Sequence, residues 1–366
     1  MNLITQILRA KLNNVMGRLL PIKLTLAVTF MCNSKCKTCN IWQVYKKSPE
    51  KVHEELTTEN WKRLFDEIGD NLGWIEFTGG EPFLRKDIDE IVIYAYNNTK
   101  ISAGSLTTNG LLPKRVLQVV EKIIENISND KILNIGISLD GVPEVHDKIR
   151  GVSGNFEKAF WLFNELRELK YLYKNLVVHI AYTISQYNAG KFIEFYNFIK
   201  QRNYTVSINE ITVTLEHFTD YYRRRSNREV YKRLKNNLIK DIRCYLNILK
   251  GESISGGIFY KVKSSFYKFY LKNIPKFASK PEQMIIPCVA GTYSAYIDPY
   301  GNVYPCTQWL IKLGSLREQS FRELWWSKKA KEVRKLIKNG MCPNCWTPCE
   351  AQPSWVMNFG LLRGWW

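Results

Sequence analysis

The sequence of 366 residues predicts an α/β protein built on a parallel sheet and followed by a small cysteine-rich module. Six β-rich runs alternate with helical stretches between residues 22 and 215. Parallel strands need helical crossovers, so this order favours a parallel sheet. The alternation stops after Leu215, and five of the nine cysteines lie between Cys288 and Cys349. The pattern alone leaves an open sheet and a partial barrel as alternatives.

The elements follow one another in a regular order. The predicted strands span residues 22–30, 72–80, 102–110, 131–141, 175–185 and 204–215. The helices between them span residues 57–69, 87–98, 113–127, 156–169 and 189–202. Thr57 is a favourable N-cap for the first of these, and Pro113 suits the start of the third. Residues 219–250 predict a long basic helix, and residues 256–280 interleave aromatic residues with lysines. We expect four regions: an N-terminal basic amphipathic helix (1–20), the α/β core (21–216), a basic helical and aromatic connector (217–285) and the cysteine-rich module (286–366).

Cysteine usage and hydropathy exclude two broad classes of protein. A secreted disulfide framework is small, has an even number of cysteines and follows a signal peptide, and none of these features is present. The chain contains no run of about 18 apolar residues, so a membrane-spanning helix is not expected. We therefore expect reduced, metal-bound thiols in the cytoplasm.

The net charge of +19 is concentrated in two segments. Residues 1–49 contain eight Lys or Arg and no acidic residue, and residues 221–280 contain sixteen basic and three acidic residues. Such a concentration calls for an anionic partner or surface. A solvated helix face, for example Tyr221 to Leu234, is the simpler explanation of the second segment.

Three cysteines follow the first predicted strand in the segment CNSKCKTC, at Cys32, Cys36 and Cys39. The carboxyl ends of parallel strands are where α/β folds carry their chemistry. Three thiolates on one loop can hold a cubane iron–sulfur cluster and leave its fourth iron open. The alternative is a zinc site completed by His53 or a distant cysteine.

This cysteine spacing resembles the defining motif of the radical S-adenosylmethionine (SAM) superfamily. The resemblance implies a partial (β/α)6 barrel and a [4Fe–4S] cluster whose open iron binds SAM. An electron, from a donor such as ferredoxin or flavodoxin, would cleave SAM to a 5′-deoxyadenosyl radical that removes hydrogen from the substrate. Three further segments match in order, namely TGGEP (78–82), LTTNG (106–110) and ISLDG with HDKIRG (137–151).

These segments imply the residues that contact SAM. The cofactor-binding candidates are Gly79, Gly80, Glu81, Asn109, Ser138 and Arg150. Glycines permit close backbone approach, Glu81 is suited to accept from the SAM ammonium and Arg150 to hold its carboxylate. For Asn109 and Asp140 a helix-capping turn is the equally weighted alternative. Thr38 replaces the usual aromatic residue before the third cysteine, so Trp42 or Tyr45 is expected to cover the adenine instead.

The second cysteine set resembles the SPASM or twitch extension of some radical SAM enzymes. It comprises Cys288, Cys306, Cys342, Cys345 and Cys349. Five thiols suffice for one auxiliary [4Fe–4S] cluster with one left over, and the spacing does not tell which four bind. A zinc ribbon is the alternative. The ninth cysteine, Cys244, is expected to be a small buried hydrophobe.

The substrate is the least determined part of the sequence. Residues 1–20 predict a basic amphipathic helix, and Trp365 and Trp366 end the chain, a combination typical of proteins at an anionic membrane surface. We expect a peripheral enzyme on the inner face of the cell membrane that tailors a lipid, as calditol synthases do. The alternatives are a SPASM-type peptide or protein maturase and a non-catalytic iron–sulfur protein. Nucleic acid is not an expected partner, and Glu210 and Asp298 are candidates for cavity-facing acids or for structural roles.

Overall fold

The computed structural model describes residues 3–17, 19–219, 222, 229–252 and 258–359. Its strands are β1 (Lys23–Thr29), β2 (Trp74–Gly79), β3 (Ala103–Thr108), β4 (Ile132–Ser138), β5 (Leu176–Ile184), β6 (Ile211–Leu215), β7 (Ser294–Ile297), β8 (Asn302–Tyr304) and β9 (Gly314–Ser315). Its helices are α1 (Leu3–Val15), α2 (Val44–Lys47), α3 (Thr58–Ile68), α4 (Ile88–Asn98), α5 (Pro113–Glu125), α6 (Pro143–Arg150), α7 (Asn155–Leu172), α8 (Phe192–Arg202), α9 (Glu229–Gly251), α10 (Ile258–Ser279), α11 (Phe321–Trp326), α12 (Lys328–Lys338) and α13 (Pro348–Phe359).

All described strands belong to one sheet in the order β6-β5-β4-β3-β2-β1-β7-β8-β9. Neighbours from β6 to β1 pair in parallel, as does β7 with β1, whereas β8 and β9 add antiparallel. The carboxyl ends of the first six strands therefore share one edge. The alternation of strands and helices predicted this parallel sheet, and β7 ties the cysteine-rich module directly to it.

The two faces of the sheet differ in polarity. One face carries Leu24, Ile75 and Ile135, which are at most 1% exposed and pack in the core with the surrounding helices. On the other face, the strand register places four polar residues opposite one another, namely Thr25, Glu76, Ser105 and Asn134, and the same face also carries His179 and Thr212. Apolar burial against the helices stabilises the layer, and the polar face lines the interior of the partial barrel.

Several predicted elements begin later than the sequence pattern suggested. The sixth strand starts at Ile211 instead of residue 204, because Ser207 and Glu210 cap each other in a short 3₁₀ turn. Such local side-chain bonds compete with strand pairing. Of the predicted helix 219–250, the described part is α9 from Glu229 to Gly251. Thr219 and Tyr222 lie in a bend and a turn, and residues 220, 221 and 223–228 lie outside the described residues.

Helix α1 packs one side on the rest of the protein and exposes the other. Ile7 and Ala10 are buried beside Val356 and Met357 of α13. Leu8, Leu12, Val15 and Met16 are between 48% and 85% exposed. Among the described helices, none is long and apolar enough to cross a bilayer.

Candidate active site

The loop after β1 carries the first three cysteines and is held to helix α6 by backbone bonds. The amides of Lys35 and Lys37 donate to the carbonyls of Arg150 and Ile149, at 2.9 and 2.8 Å. The Ser34 hydroxyl donates to the Arg150 carbonyl at 3.0 Å and lies 3.2 Å from the Cys36 thiol. These bonds join two segments of the predicted motifs that are more than 110 residues apart in sequence.

Two glycines at the end of β2 let that strand run against the cysteine loop. A Cβ on Gly79, whose φ is +130°, would lie 2.0 Å from the Thr29 carbonyl oxygen. A Cβ on Gly80 would lie 2.0 Å from the Met31 carbonyl oxygen. Both distances are impossible for a real side chain, so glycine is required at each position.

Glu81 follows these glycines and is almost fully buried. Its carboxylate accepts from the Asn109 amide at 2.7 Å and from the Phe83 amide at 3.3 Å. Burial raises the pKa of Glu81 to about 7, although these bonds and Arg150 favour the ionised form. The Asn109 side chain donates to Asn33 of the cysteine loop at 2.8 Å. The TGGEP and LTTNG segments thus meet at the site.

Arg150 reaches from α6 to both the Asp140 carboxylate and the cysteine loop. Its Nε and Nη2 atoms each lie 2.7 Å from Asp140 Oδ2, and its Nη1 lies 3.9 Å from the Cys36 sulfur. Asp140 also accepts from the Thr183 amide at 3.0 Å, so it is anchored to β5. Asp140 therefore positions Arg150 beside the thiols, and its side chain does not cap the helix that follows.

A second group of thiols lines a cavity in the C-terminal part. Cys288, Cys306, Cys342 and Cys345 all face it, among apolar neighbours that include Ile285, Ile286 and Trp309. Cys349 is not among the residues that line this cavity. The Lys23 ammonium donates to the Cys349 carbonyl instead.

Comparison with known proteins identifies both regions. Residues 26–199 match the family model of the radical SAM superfamily, and residues 288–349 match SPASM, an iron–sulfur cluster-binding domain. The chain therefore contains a radical SAM domain and a SPASM domain, the two domains of a radical SAM enzyme.

The AdoMet-dependent heme synthase of Methanosarcina barkeri is 26% identical over 77% of this chain and 76% of its own length. The mycofactocin maturase MftC of Mycobacterium tuberculosis is 26% identical over 89% of this chain and 75% of its own length. A solved structure of anSMEcpe with bound AdoMet and the Cp18Cys peptide has a TM-score of 0.54 at 21% identity, covering 87% of this chain and 83% of that one. The expected partial (β/α)6 barrel and C-terminal iron–sulfur module are confirmed.

The thiols of this radical SAM enzyme fit the clusters that its two domains imply. Burial raises the pKa of Cys32 to about 12 and raises the pKa of Cys39 further, so these groups are neutral thiols without a metal. Iron binding would replace those protons, and the nearby Arg150 would stabilise the resulting thiolates. Among the described residues, no three His, Cys, Asp or Glu side chains surround a position for a single metal ion. The assignment of cluster ligands therefore rests on the motif, the shared loop and the shared cavity.

The other predicted residues lie at a strand end, near the cysteine loop, on α9 or outside the described part of the chain. Ser138 ends β4 and is 5% exposed, and its contact with SAM stays a prediction. The Tyr45 hydroxyl donates to Glu55 at 2.5 Å, and Trp42 lies under the Lys46 ammonium, so a role of either ring at adenine stays a prediction. Cys244 is only partly buried on α9. Trp365, Trp366 and Tyr221 lie outside the described residues.

Both acids expected near the cavity have structural partners. Glu210 lies before β6, at the opposite end of the strand from the site, and is paired with Arg167 at 3.1 Å. Asp298 accepts from the Asn302 side chain at 2.8 Å and from the Tyr304 hydroxyl at 3.1 Å. Its raised pKa comes from burial within this hairpin. These contacts favour a structural role for Glu210 and Asp298 over a role as acids that face the cavity.

Sequence reasoning missed a buried carboxylate under the cysteine loop. Glu55 accepts from the Thr29 hydroxyl at 2.7 Å and from the Phe30 amide at 2.9 Å. Arg85 lies 3.8 Å from Glu55 and donates to the Val28 carbonyl at 2.8 Å. This pair fixes the end of β1, from which the cysteine loop starts. No motif in the sequence marks either residue.

Proposed function

We propose that this radical SAM enzyme acts on a peptide or protein and modifies one of its C–H bonds. The observation that supports this proposal is the polar inner face of the partial barrel. Glu76 and Thr25 are hydrogen-bonded there at 3.0 Å, and His179 lies 3.1 Å from the Asn134 amide oxygen. A substrate that enters this interior meets donors and acceptors on at least four strands.

The polarity of this face separates peptide from lipid substrates. A hydrocarbon chain offers no hydrogen-bonding groups to this face, whereas peptide amides and polar side chains can bond to its donors and acceptors. The expectation of lipid tailoring, with calditol synthase as its example, finds no support in the reported relatives, whose names refer to heme synthesis and to maturation.

Relatives and neighbours support the maturase alternative. MftC is named a maturase, and the anSMEcpe structure holds a peptide together with AdoMet. SAM bound at the cluster supplies the 5′-deoxyadenosyl radical that removes the substrate hydrogen. In this proposal Glu81 accepts from the SAM ammonium, and Gly79 and Gly80 admit its methionine end. Arg150 stabilises the thiolates and holds an anionic group, while a ferredoxin or flavodoxin supplies the electron.

Profiling of a deletion strain tests the substrate class. Peptides and lipids extracted from the deletion strain, the complemented strain and a strain complemented with the Cys36→Ala variant are compared by mass spectrometry. We expect a peptide mass change that only the active gene restores, and formation of 5′-deoxyadenosine when that unmodified peptide meets the reduced holoenzyme and SAM. A restored lipid change with an unaltered peptide profile would contradict the proposal.

A second candidate property is binding of α1 to an anionic membrane surface. Its exposed side carries Leu8, Leu12 and Val15 at helical spacing, and residues 1–20 contain three basic and no acidic residues. Each of these three exposed side chains would contribute about 1.5–3 kcal/mol when it moves from water into the bilayer, and the basic residues add attraction to anionic lipid.

Vesicle sedimentation tests this property without removing the buried side of α1. We expect the full chain to sediment with phosphatidylserine-containing vesicles at low salt. The Leu12→Gln/Val15→Gln variant should remain in the supernatant, whereas an exposed polar change such as Asn13→Gln should have no effect. Equal sedimentation of all three proteins would argue against this role.

A further inference from the structure

Basic residues near the N-terminus lie at opposite ends of β1. Helix α1 carries Arg9 and lies at the amino ends of the strands, where Gln6 accepts from the Ser102 hydroxyl at 3.1 Å just before β3. Lys35 and Lys37 lie in the cysteine loop, at the carboxyl ends. The 7 residues of β1 separate the two places by about 20 Å. Binding of α1 to a membrane therefore leaves the positive charge of the loop unexplained.

Three exposed lysines lie around the predicted cluster ligand Cys36. Lys35 and Lys37 flank it in sequence, and Lys148 belongs to the last turn of α6, whose carbonyls accept from the loop amides. Within the described part of the chain, no carboxylate forms an ion pair with any of these lysines. Asp147, the acidic residue beside Lys148, accepts from two backbone amides instead. The three ammonium groups can therefore act on a partner.

The positive surface continues from the cysteine loop to α9. The Lys37 ammonium lies 5.6 Å from the centre of the Tyr187 ring, in the segment that follows β5. The neighbouring Gln186 accepts from the exposed Arg233 of α9 at 3.4 Å. We call these four cations the loop basic surface, namely Lys35, Lys37, Lys148 and Arg233. All four lie on the side of the sheet where the strands have their carboxyl ends.

The loop basic surface lies next to the predicted site of the SAM-binding cluster. Cys36 is 9% exposed and stands between two exposed lysines in the sequence. A protein bound to those lysines comes close to a predicted ligand, and an electron donor needs such an approach because electron transfer slows steeply with distance. Transient redox partners use small interfaces, and opposite charges speed their association. A negatively charged redox protein fits both requirements.

We propose that the loop basic surface is the docking site of an acidic electron-transfer protein of the flavodoxin or ferredoxin class. The assignment rests on the proposed electron supply to the cluster. One electron leaves the reduced donor, which is oxidised, and enters the cluster, which is reduced, so no bond forms or breaks at the surface itself. The four cations attract and orient the donor and take no part in the cleavage of SAM.

Two routes of reduction test this docking site. The reconstituted holoenzyme forms 5′-deoxyadenosine with electrons from flavodoxin, kept reduced by its NADPH-dependent reductase, or from dithionite, a small reductant that needs no docking surface. In the Lys148→Glu/Arg233→Glu variant, the flavodoxin concentration for half-maximal rate should rise about tenfold at low salt. The dithionite-driven rate should stay unchanged. High salt should reduce the difference from the wild type, because it screens surface charges.

A matched control reverses two charges elsewhere. Lys331 and Lys335 are exposed on α12, and Arg334 of that helix donates to the Gly291 carbonyl just before β7, at the amino ends of the strands. Lys331→Glu/Lys335→Glu should therefore depend on flavodoxin as the wild type does.

Three results would overturn the proposal. One is equal dependence on flavodoxin in the wild type and the Lys148→Glu/Arg233→Glu variant. Another is an equal fall of the flavodoxin-driven and dithionite-driven rates, because the two residues would then act on the cluster and not on the donor. The third is a variant that keeps flavodoxin-driven SAM cleavage but no longer restores the peptide change in the deletion strain, which would assign the surface to an acidic substrate.

Cross-linking covers the case in which the double variant does not fold. A carbodiimide joins carboxylates to lysine amines in direct contact, so wild-type holoenzyme mixed with flavodoxin should become linked through Lys35, Lys37 or Lys148, as identified by peptide mass spectrometry. Links confined to other lysines, such as Lys331, would refute the docking site. Because this readout needs neither SAM cleavage nor a substrate, it separates failure of the docking site from failure of the proposed function.

Discussion

Replacement of Gly80 by alanine should separate β2 from the cysteine loop. The new Cβ would lie 2.0 Å from the Met31 carbonyl oxygen and 2.9 Å from the Phe30 carbonyl oxygen. Real contacts of this kind do not fall below 3.0 Å, so one backbone segment has to move by about 1 Å. Both neighbours are main-chain atoms that no rotamer change can displace. Cys32 follows Met31 directly, so the displacement reaches the first predicted cluster ligand.

The expected loss concerns activity more than folding. Overpacking of this kind costs about 1–3 kcal/mol of unfolding free energy. A displacement of about 1 Å at a reacting centre lowers the rate by up to about 100-fold. The assay measures 5′-deoxyadenosine formed from SAM by the reduced, reconstituted enzyme, with iron content determined in parallel.

A glycine without close neighbours provides the control. Gly251 ends α9, and a Cβ there would meet nothing within 4 Å. Gly251→Ala should therefore cleave SAM at the wild-type rate. If Gly80→Ala also retained that rate and its iron, the close approach of β2 to the cysteine loop would be refuted.

Three further perturbations test the site and the core. Glu81→Gln removes a carboxyl whose pKa is raised from 4.5 to about 7. In the cofactor-free protein this shift stabilises the fold by about 3 kcal/mol below pH 4.5, and the stabilisation is lost as the pH rises through 7. Urea unfolding of the wild type should show this fall in unfolding free energy, and an equal fall in the variant would contradict the role of Glu81. Arg150→Ala should weaken SAM binding by about 10-fold or more in calorimetry, since a charge-assisted bond contributes about 1.5–3 kcal/mol, whereas Arg202→Ala, which breaks an exposed pair, should not. Trp325→Ala should lower the unfolding free energy by about 3–5 kcal/mol, because that ring is 1% exposed and stacks with the Arg334 guanidinium at 4.5 Å; a loss below 1 kcal/mol would show that the ring is not part of the core.

Local patterns were enough to predict the order of the strands and helices. Apolar alternation, capping residues and glycines act over a few neighbouring residues, so they can be read without knowledge of the fold. The prediction failed where local side-chain bonds displaced a regular element. Ser207 and Glu210 shorten β6, and Glu210 itself is held by Arg167 from α7, more than 40 residues away.

Sequence alone determined that three cysteines, two glycines and Glu81 stand at the carboxyl ends of successive strands, because parallel strands bring those ends to one edge. Only the tertiary structure decided which four of the five C-terminal thiols share a cavity, and that Glu55 with Arg85 supports the cysteine loop. These relations join residues that are 30 to more than 300 positions apart, such as Lys23 and Cys349. Distances of that kind depend on how helices and strands pack, and no short-range pattern records them.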